Sequence, residues 1–233
     1  MYLGNRINGR MLEIEDQAHS LQIEVFRSIW NGQAPQDITD VFEPGVALSS
    51  LGYSVRSVLE IGRHRVNGVV NEVAGVIEQD KKLVTIAEMN FSYPTKRFTV
   101  AHELGHARLH PDMPALHRDV PLERSGAVQD WREIEANRFA SAYLMPRKLV
   151  HSRFYECFGV ECFELTDATA FALCGTCDEK VQKIYRNPRQ LSQHLSGAGE
   201  FNGHYFKPLH EQFKVSLAAM AIRLEELEIT VSA

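Results

Sequence analysis

Apolar residues recur at helical spacing between residues 11 and 31, where Leu12, Ile14, Leu21, Ile23, Val25, Phe26 and Ile29 mark an amphipathic stretch. The segment "NGQAPQD" (31–37) breaks it with Asn, Gly and Pro, and a second helix is expected from Asp37 to about Leu51, interrupted near Pro44 and Gly45. The period then changes. "GYSVRSVLEI", "NGVVNEVAGVIEQ" and "KKLVTIAE" are β-branched and partly alternating, which predicts a small, mainly antiparallel sheet with a tight turn at Asp80-Lys81. From Pro94 the pattern is helical again. "YPTKRFTVAHELGHARLHP" opens at Pro94-Thr95 and stops at Pro111; "VQDWREIEANRFASAYLMP" predicts a further helix with Ile134, Phe139, Tyr143 and Leu144 inward and Pro146 closing it. Residues 147–233 read as mainly helical, with a Gly-rich break at "LSGAGEFNGHY". The fold class expected is α+β: a small sheet packed on helices, followed by a mainly helical C-terminal region.

Composition narrows the function classes. An apolar fraction of 44% and a charged fraction of 24% are those of a soluble globular protein, and no apolar run has the length needed to cross a bilayer. The opening "MYLGNRINGRMLEIEDQ" lacks the apolar core and cleavage site of a secretory signal, so a cytoplasmic location is expected. A net charge of −5 argues against a general affinity for nucleic acid and leaves only a local basic patch open. Four cysteines, Cys157, Cys162, Cys174 and Cys177, are expected as reduced thiols; they could be buried or could bind a second, structural metal. "EQFKVSLAAMAIRLEELEI" has the cadence of a helix-turn-helix. Its second helix sets Glu225, Glu226 and Glu228 against a single Arg223, which would meet phosphates with like charge; packing or protein binding is favoured.

The stretch "TVAHELGHARLH" carries the chemistry. One turn takes 3.6 residues, so His102 and His106 project from one face, close enough for both imidazoles to reach one tetrahedral zinc, with Glu103 beside them. Neutral imidazoles leave the charge of the ion intact, so it can lower the pKa of a water to about 7. A neighbouring carboxylate can then take that proton and pass it to a leaving amine. With ten histidines in the chain, an HExxH pattern arises by chance with a probability of about 4%, so the context has to support it. Phe98, Val100, Ala101, Leu104 and Ala107 give the helix apolar faces, a sheet precedes it, and a second helix carries further ligands.

Catalytic zinc generally takes three protein ligands and a water. Asp112 would serve only if the chain turned sharply at residue 109, where a glycine is needed and Leu109 stands. "REIEANRFASAYLMP" offers Glu133 and Glu135, about 200° apart around the helix, so both cannot bind one ion. Glu133 is favoured, because Asn137 lies on its face at i+4 and could buttress a histidine ligand.

"RFTVAHELGHARLH" followed by "EIEANRFASAYLMP" resembles the ImmA/IrrE family of bacterial and phage metallopeptidases. The resemblance covers roughly residues 45 to 150 and extends weakly into "LHEQFKVSLAAMAIRLEEL". It implies a helical N-terminal segment (1–44), a zincin-like catalytic domain (45–150) and a helical C-terminal region (151–233) with a helix-turn-helix-like ending. It also implies His102, His106 and Glu133 as metal ligands, Glu103 as general base, and Zn²⁺, or Mn²⁺ in its place, as cofactor. The implied substrate is a helix-turn-helix repressor encoded nearby, whose cleavage turns on stress, DNA-damage, mobile-element or phage-defence genes. His110, His117 and Tyr143 are candidates to stabilise the oxyanion, and "AGVIEQ" or "LVTIAE" could be an open sheet edge for a substrate strand. The competing expectation is a non-catalytic regulatory or DNA-binding module on the same scaffold; an intact Glu103, which a scaffold does not need, favours the enzyme.

Overall fold

The computed structural model describes residues 2–66, 69–112, 116–118, 131–174 and 187–231, in two compact units, Met1–Leu144 and Met145–Ala233. The first unit opens with one long helix, α1 (Tyr2–Ile29). Ile14, Ala18, Leu21 and Val25 are buried at spacings of four, three and four, the stripe of a helix lying on a core, whereas Leu12 falls off the stripe and Ile29 is the last residue of the helix, and both are exposed. Asn31 and Gly32, both at positive φ, end it. The segment expected to form an interrupted helix is two pieces. A 3₁₀ turn (Ile38–Phe42) is capped by Asp37, which accepts from the Thr39 amide, and α2 (Pro44–Ser50) starts with proline in its first turn, where no amide is missed.

The β segments are β1 (Ser54–Val58), β2 (Arg63–Val66), β3 (Val69–Glu72), β4 (Gly75–Glu78) and β5 (Leu83–Ala87), with β6 (Leu116–Arg118) after the next helix. The main sheet has the order β1-β5-β4-β6; β1 and β5 are parallel and the other two pairings antiparallel. β2 and β3 form a separate antiparallel pair. The turn between β4 and β5 contains Asp80 and Lys81 and closes at Lys82, at positive φ. This order corrects the expected open edge: β5 has β1 and β4 as neighbours, and β4 has β5 and β6, so neither offers a free ladder to a substrate. Sheet edges depend on which distant strands pair, and a local alternation of residues carries no record of that.

Helix α3 (Tyr93–Leu109) crosses β4 and β5. Ser92 caps it by accepting from the Thr95 amide, and Pro94 sits in its first turn. It is buried on nearly every side, burying Phe98, Ala101 and Leu104 together with the polar Arg97, Thr99, His102, Glu103 and His106. Helix α4 (Trp131–Leu144) buries Ala136, Phe139, Ala140, Tyr143 and Leu144. Ile134 is exposed rather than inward, because it lies about 200° around the helix from Ala136. Gln22 of α1 donates to the carbonyls of Ala142 (3.2 Å) and Tyr143 (2.9 Å), which have no partner within α4.

The second unit is mainly helical: α5 (Arg147–Phe158), ended by Gly159 at φ 70°, α6 (Asp167–Cys174), α7 (Pro188–Gly197), α8 (Leu209–Gln212) and α9 (Leu217–Glu226). β7 (Phe163–Glu164) pairs in parallel with β10 (Thr230–Val231). The expected Gly-rich break is a hairpin, β8 (Glu200–Phe201) to β9 (His204–Tyr205), turned by Asn202 and Gly203, both at positive φ as a two-residue Asn-Gly loop requires. Phe154, Phe158, Phe163, Phe213, Leu195 and Leu224 form its core. In the helix-turn-helix-like ending, Arg223 of α9 is buried and donates to the Met145 carbonyl (3.0 Å) and to Glu226 (3.0 Å), so the basic residue of that helix is turned inward. Among the described residues no helix is long and apolar enough to cross a membrane.

Arg97 ties α3 to the preceding turn. Buried at 3% exposure, it pairs with Glu43 (3.3 Å) and donates to the carbonyls of Phe42 (3.1 Å) and Thr39 (3.4 Å). Removing it leaves those buried carbonyls without their donor, so Arg97→Ala is expected to cost about 2 to 3 kcal/mol, read as a lower urea midpoint.

Candidate metal centre

Helices α3 and α4 lie antiparallel. The His110 ring meets Trp131 edge-on at 5.5 Å, Gly105 faces Ala136, and His102 faces Asn137. The helices come close at Gly105, where a Cβ would stand 3.0 Å from both the Cα and the carbonyl oxygen of Ala136 and 3.3 Å from the Phe139 Cβ. A hydrogen atom against an alanine lets the two backbones come near enough for side chains of one helix to reach those of the other.

What they bring together is His102, His106 and Glu133, with one ligand atom from each lying within 4.8 Å of the others. The two Nε2 atoms are 2.9 Å apart; Glu133 places Oε2 3.1 Å from His102 Nε2 and Oε1 3.3 Å from His106 Nε2. Tetrahedral zinc at about 2.1 Å from its ligands spaces them about 3.4 Å apart, close to the separations present. Two neutral imidazoles and one carboxylate also leave a divalent ion with net positive charge. The residues therefore fit such an ion. Both histidines are 1% exposed, while the Glu133 side chain keeps 24%, so solvent reaches the group from the carboxylate side. Burial would raise the Glu133 carboxyl, but the two imidazoles outweigh it and hold it well below the usual carboxylate range.

The far nitrogens of both rings are also engaged. His102 Nδ1 meets Asn137 Oδ1 at 2.9 Å, the buttress that the i, i+4 spacing of Glu133 and Asn137 suggests. His106 Nδ1 meets His110 Nδ1 at 3.1 Å, and His110 Nε2 lies 3.0 Å from Glu135 Oε2. Glu135 in turn receives a fork from Arg10 of α1, Nε to Oε1 at 2.7 Å and Nη2 to Oε2 at 3.0 Å. Burial raises the Glu135 carboxyl too; Arg10 and His110 overcome this and hold it below its ordinary value. Burial also pushes the His110 imidazole down, toward its neutral form. Sequence reasoning gave Arg10 no role, since 125 residues separate it from Glu135. His110, one turn beyond His106, was the visible half of the signal.

Glu103 is fully buried, with its carboxylate against β4: a Cβ on Gly75 would lie 2.9 Å from Glu103 Oε1 and 2.6 Å from Thr99 Cγ2. Asp112 is exposed and outside the cluster. Tyr143 stands about 15 Å along α4 from Glu133, buried and stacked on Phe139, so it is not an oxyanion donor at this centre. The side chain of His117 lies outside the described residues, as does Cys177. Cys157 is buried, Cys162 exposed and Cys174 half-buried, and among the described residues none joins a group placed to hold a metal.

Gly105 is where the arrangement is most sensitive. In a helix interior Gly→Ala gains about 1 kcal/mol, whereas overpacking costs about 1–3 kcal/mol. Gly105→Ala is expected to lose about 1 kcal/mol net by urea unfolding and to weaken Zn²⁺ binding in a chelator competition, because the added methyl pushes Glu133 away from the histidines.

Residues 71–158 match the Peptidase_M78 family model, the IrrE N-terminal-like domain. The chain is 34% identical over 79 residues to "Uncharacterized immunity region protein 2" of Bacillus phage phi105, a match covering 33% of this chain and 47% of that protein. The chain thus spans about half the length of the curated relative it matches. No solved structure matches it. The residues that match the family model contain His102, Glu103, His106 and Glu133, so the part of the chain similar to the IrrE N-terminal-like domain is the part that carries the cluster.

Proposed function

We propose that this chain is a metal-dependent endopeptidase of the cytoplasm, using Zn²⁺ or Mn²⁺ in its place, that cleaves one specific protein. The proposed substrate is a helix-turn-helix transcriptional repressor encoded nearby, and its loss would derepress stress, DNA-damage, mobile-element or phage-defence genes. The observation that carries the reading is the convergence of His102, His106 and Glu133 on one point, one residue from Glu103, inside a Peptidase_M78 domain. Kinship with a protein named for a phage immunity region supports a regulatory substrate. A net charge of −5 and the inward Arg223 favour a protein partner over direct DNA reading.

In this mechanism His102, His106 and Glu133 hold the ion. When bound, it supplies Lewis acidity toward a water and toward the scissile carbonyl. Glu103 takes a proton as the water oxygen bonds to the carbonyl carbon, and delivers it to the amide nitrogen as the C–N bond breaks. The close seat of Gly75 fixes where the Glu103 carboxylate can lie.

The test is cleavage of the co-expressed repressor, followed by mass spectrometry of the products. Glu103→Gln is expected to keep the bound ion and lose at least about 10²-fold in rate. Chelation should abolish cleavage of the wild-type chain, and Zn²⁺ or Mn²⁺ should restore it. Equal cleavage by wild type and Glu103→Gln, or none by either, would return the function to a non-catalytic module. Gly75→Ala should displace Glu103 and slow cleavage while leaving the ion in place, measured as kcat beside metal content.

A further inference from the structure

We infer that Arg10, Glu135 and His110 are positioning residues, a hydrogen-bonded chain that fixes the tautomer of His106 so that its Nε2 lone pair faces the metal position. The inference rests on the metal-centre reading above. A neutral imidazole carries one N–H and one lone pair, and which nitrogen holds which is set by the partner of the other. His106 and His110 face each other through their Nδ1 atoms at 3.1 Å, so one must donate and the other accept.

The direction is decided at the far end. Both oxygens of Glu135 accept from the Arg10 fork, at 2.7 and 3.0 Å, which fixes the carboxylate plane and presents His110 with an acceptor. His110 Nε2, at 3.0 Å, must therefore carry the proton that is donated to Glu135. The lone pair of His110 then resides on Nδ1 and accepts from His106 Nδ1–H. That leaves His106 Nε2 bare, directed at the point that it shares with His102 and Glu133.

The opposite tautomer would aim an N–H into the ligand cluster, at His102 Nε2 only 2.9 Å away, and would close the site to a cation. His102 reaches the same end with one residue, because Asn137 Oδ1 accepts its Nδ1–H directly at 2.9 Å. The two ligands are thus oriented by chains of unequal length. The longer one is buried at His110 and Glu135 and ends at Arg10, on a helix outside the family-matched residues 71–158. The first helix is in this sense part of the metal centre.

The experiment uses the full chain, stripped of metal and titrated with Zn²⁺ against a chromophoric chelator, and with Co²⁺ for its visible ligand-field spectrum. His110→Leu removes the acceptor and is expected to weaken Zn²⁺ binding by about 10- to 100-fold and to shift the Co²⁺ bands. His110→Asn places Oδ1 where the Nδ1 acceptor was and should recover most of the affinity, which a merely space-filling role would not give. Arg10→Met, whose side chain is 39% exposed and so tolerant of exchange, should weaken binding in the same direction by a smaller factor. Wild-type affinity and spectrum in His110→Leu, or no recovery in His110→Asn, would overturn the chain. If His110→Leu does not fold, Arg10→Met decides alone: unchanged affinity overturns the inference. A wild-type chain that binds neither ion sinks the metal reading itself, a result distinct from variants that bind as wild type does.

Discussion

The close approach of α3 and α4 at Gly105 and Ala136 is the constraint on which the rest depends. Side chains on one helix can be spaced by its pitch alone, as His102 and His106 are. A third from another helix needs the two axes held at a set distance, and here that distance is set by the absence of a side chain at residue 105. The glycine inside HELGH and the alanine inside EIEAN are thus two halves of one contact. Residues outside the cluster thus decide whether Glu133 reaches the two histidines.

That contact buries a cost. His102, His106 and His110 lose their hydration, and a polar group taken from water without a partner costs several kcal/mol. The fold offsets this by connecting groups in series: carboxylate to imidazole, imidazole to imidazole, amide to imidazole, guanidinium to carboxylate. Arg97 performs the same service near the start of α3, taking two carbonyls and Glu43 at once. The polar middle of α3 is stable because neighbouring helices and turns complete it.

Much of this was legible from local pattern, for a physical reason. The helical period puts His102 above His106 and Glu133 above Asn137, and Pro94 marks a helix start, in any protein with those residues. The α+β character followed from a change of period near Gly52. What failed depends on distant pairing. The order β1-β5-β4-β6 encloses both strands expected at an edge, and Ile134 faces out because α4 is buried along Ala136, Phe139 and Tyr143. Arg10 was silent, since nothing in "NGRMLE" announces a carboxylate more than a hundred residues away. The Asn202-Gly203 turn, by contrast, was a strong local hairpin signal passed over as a break in a helical region.

Helix α1 also holds the helix that carries Glu133. Gln22 grips the carbonyls that end α4, and Arg10 grips Glu135 near its beginning, anchor points about 10 Å apart along one axis. Two such attachments oppose sliding of α4 along its length and rolling about it. The Glu133 carboxylate is thereby placed beside the two imidazoles by protein contacts, so the proposed centre would take a cation with little reorganisation.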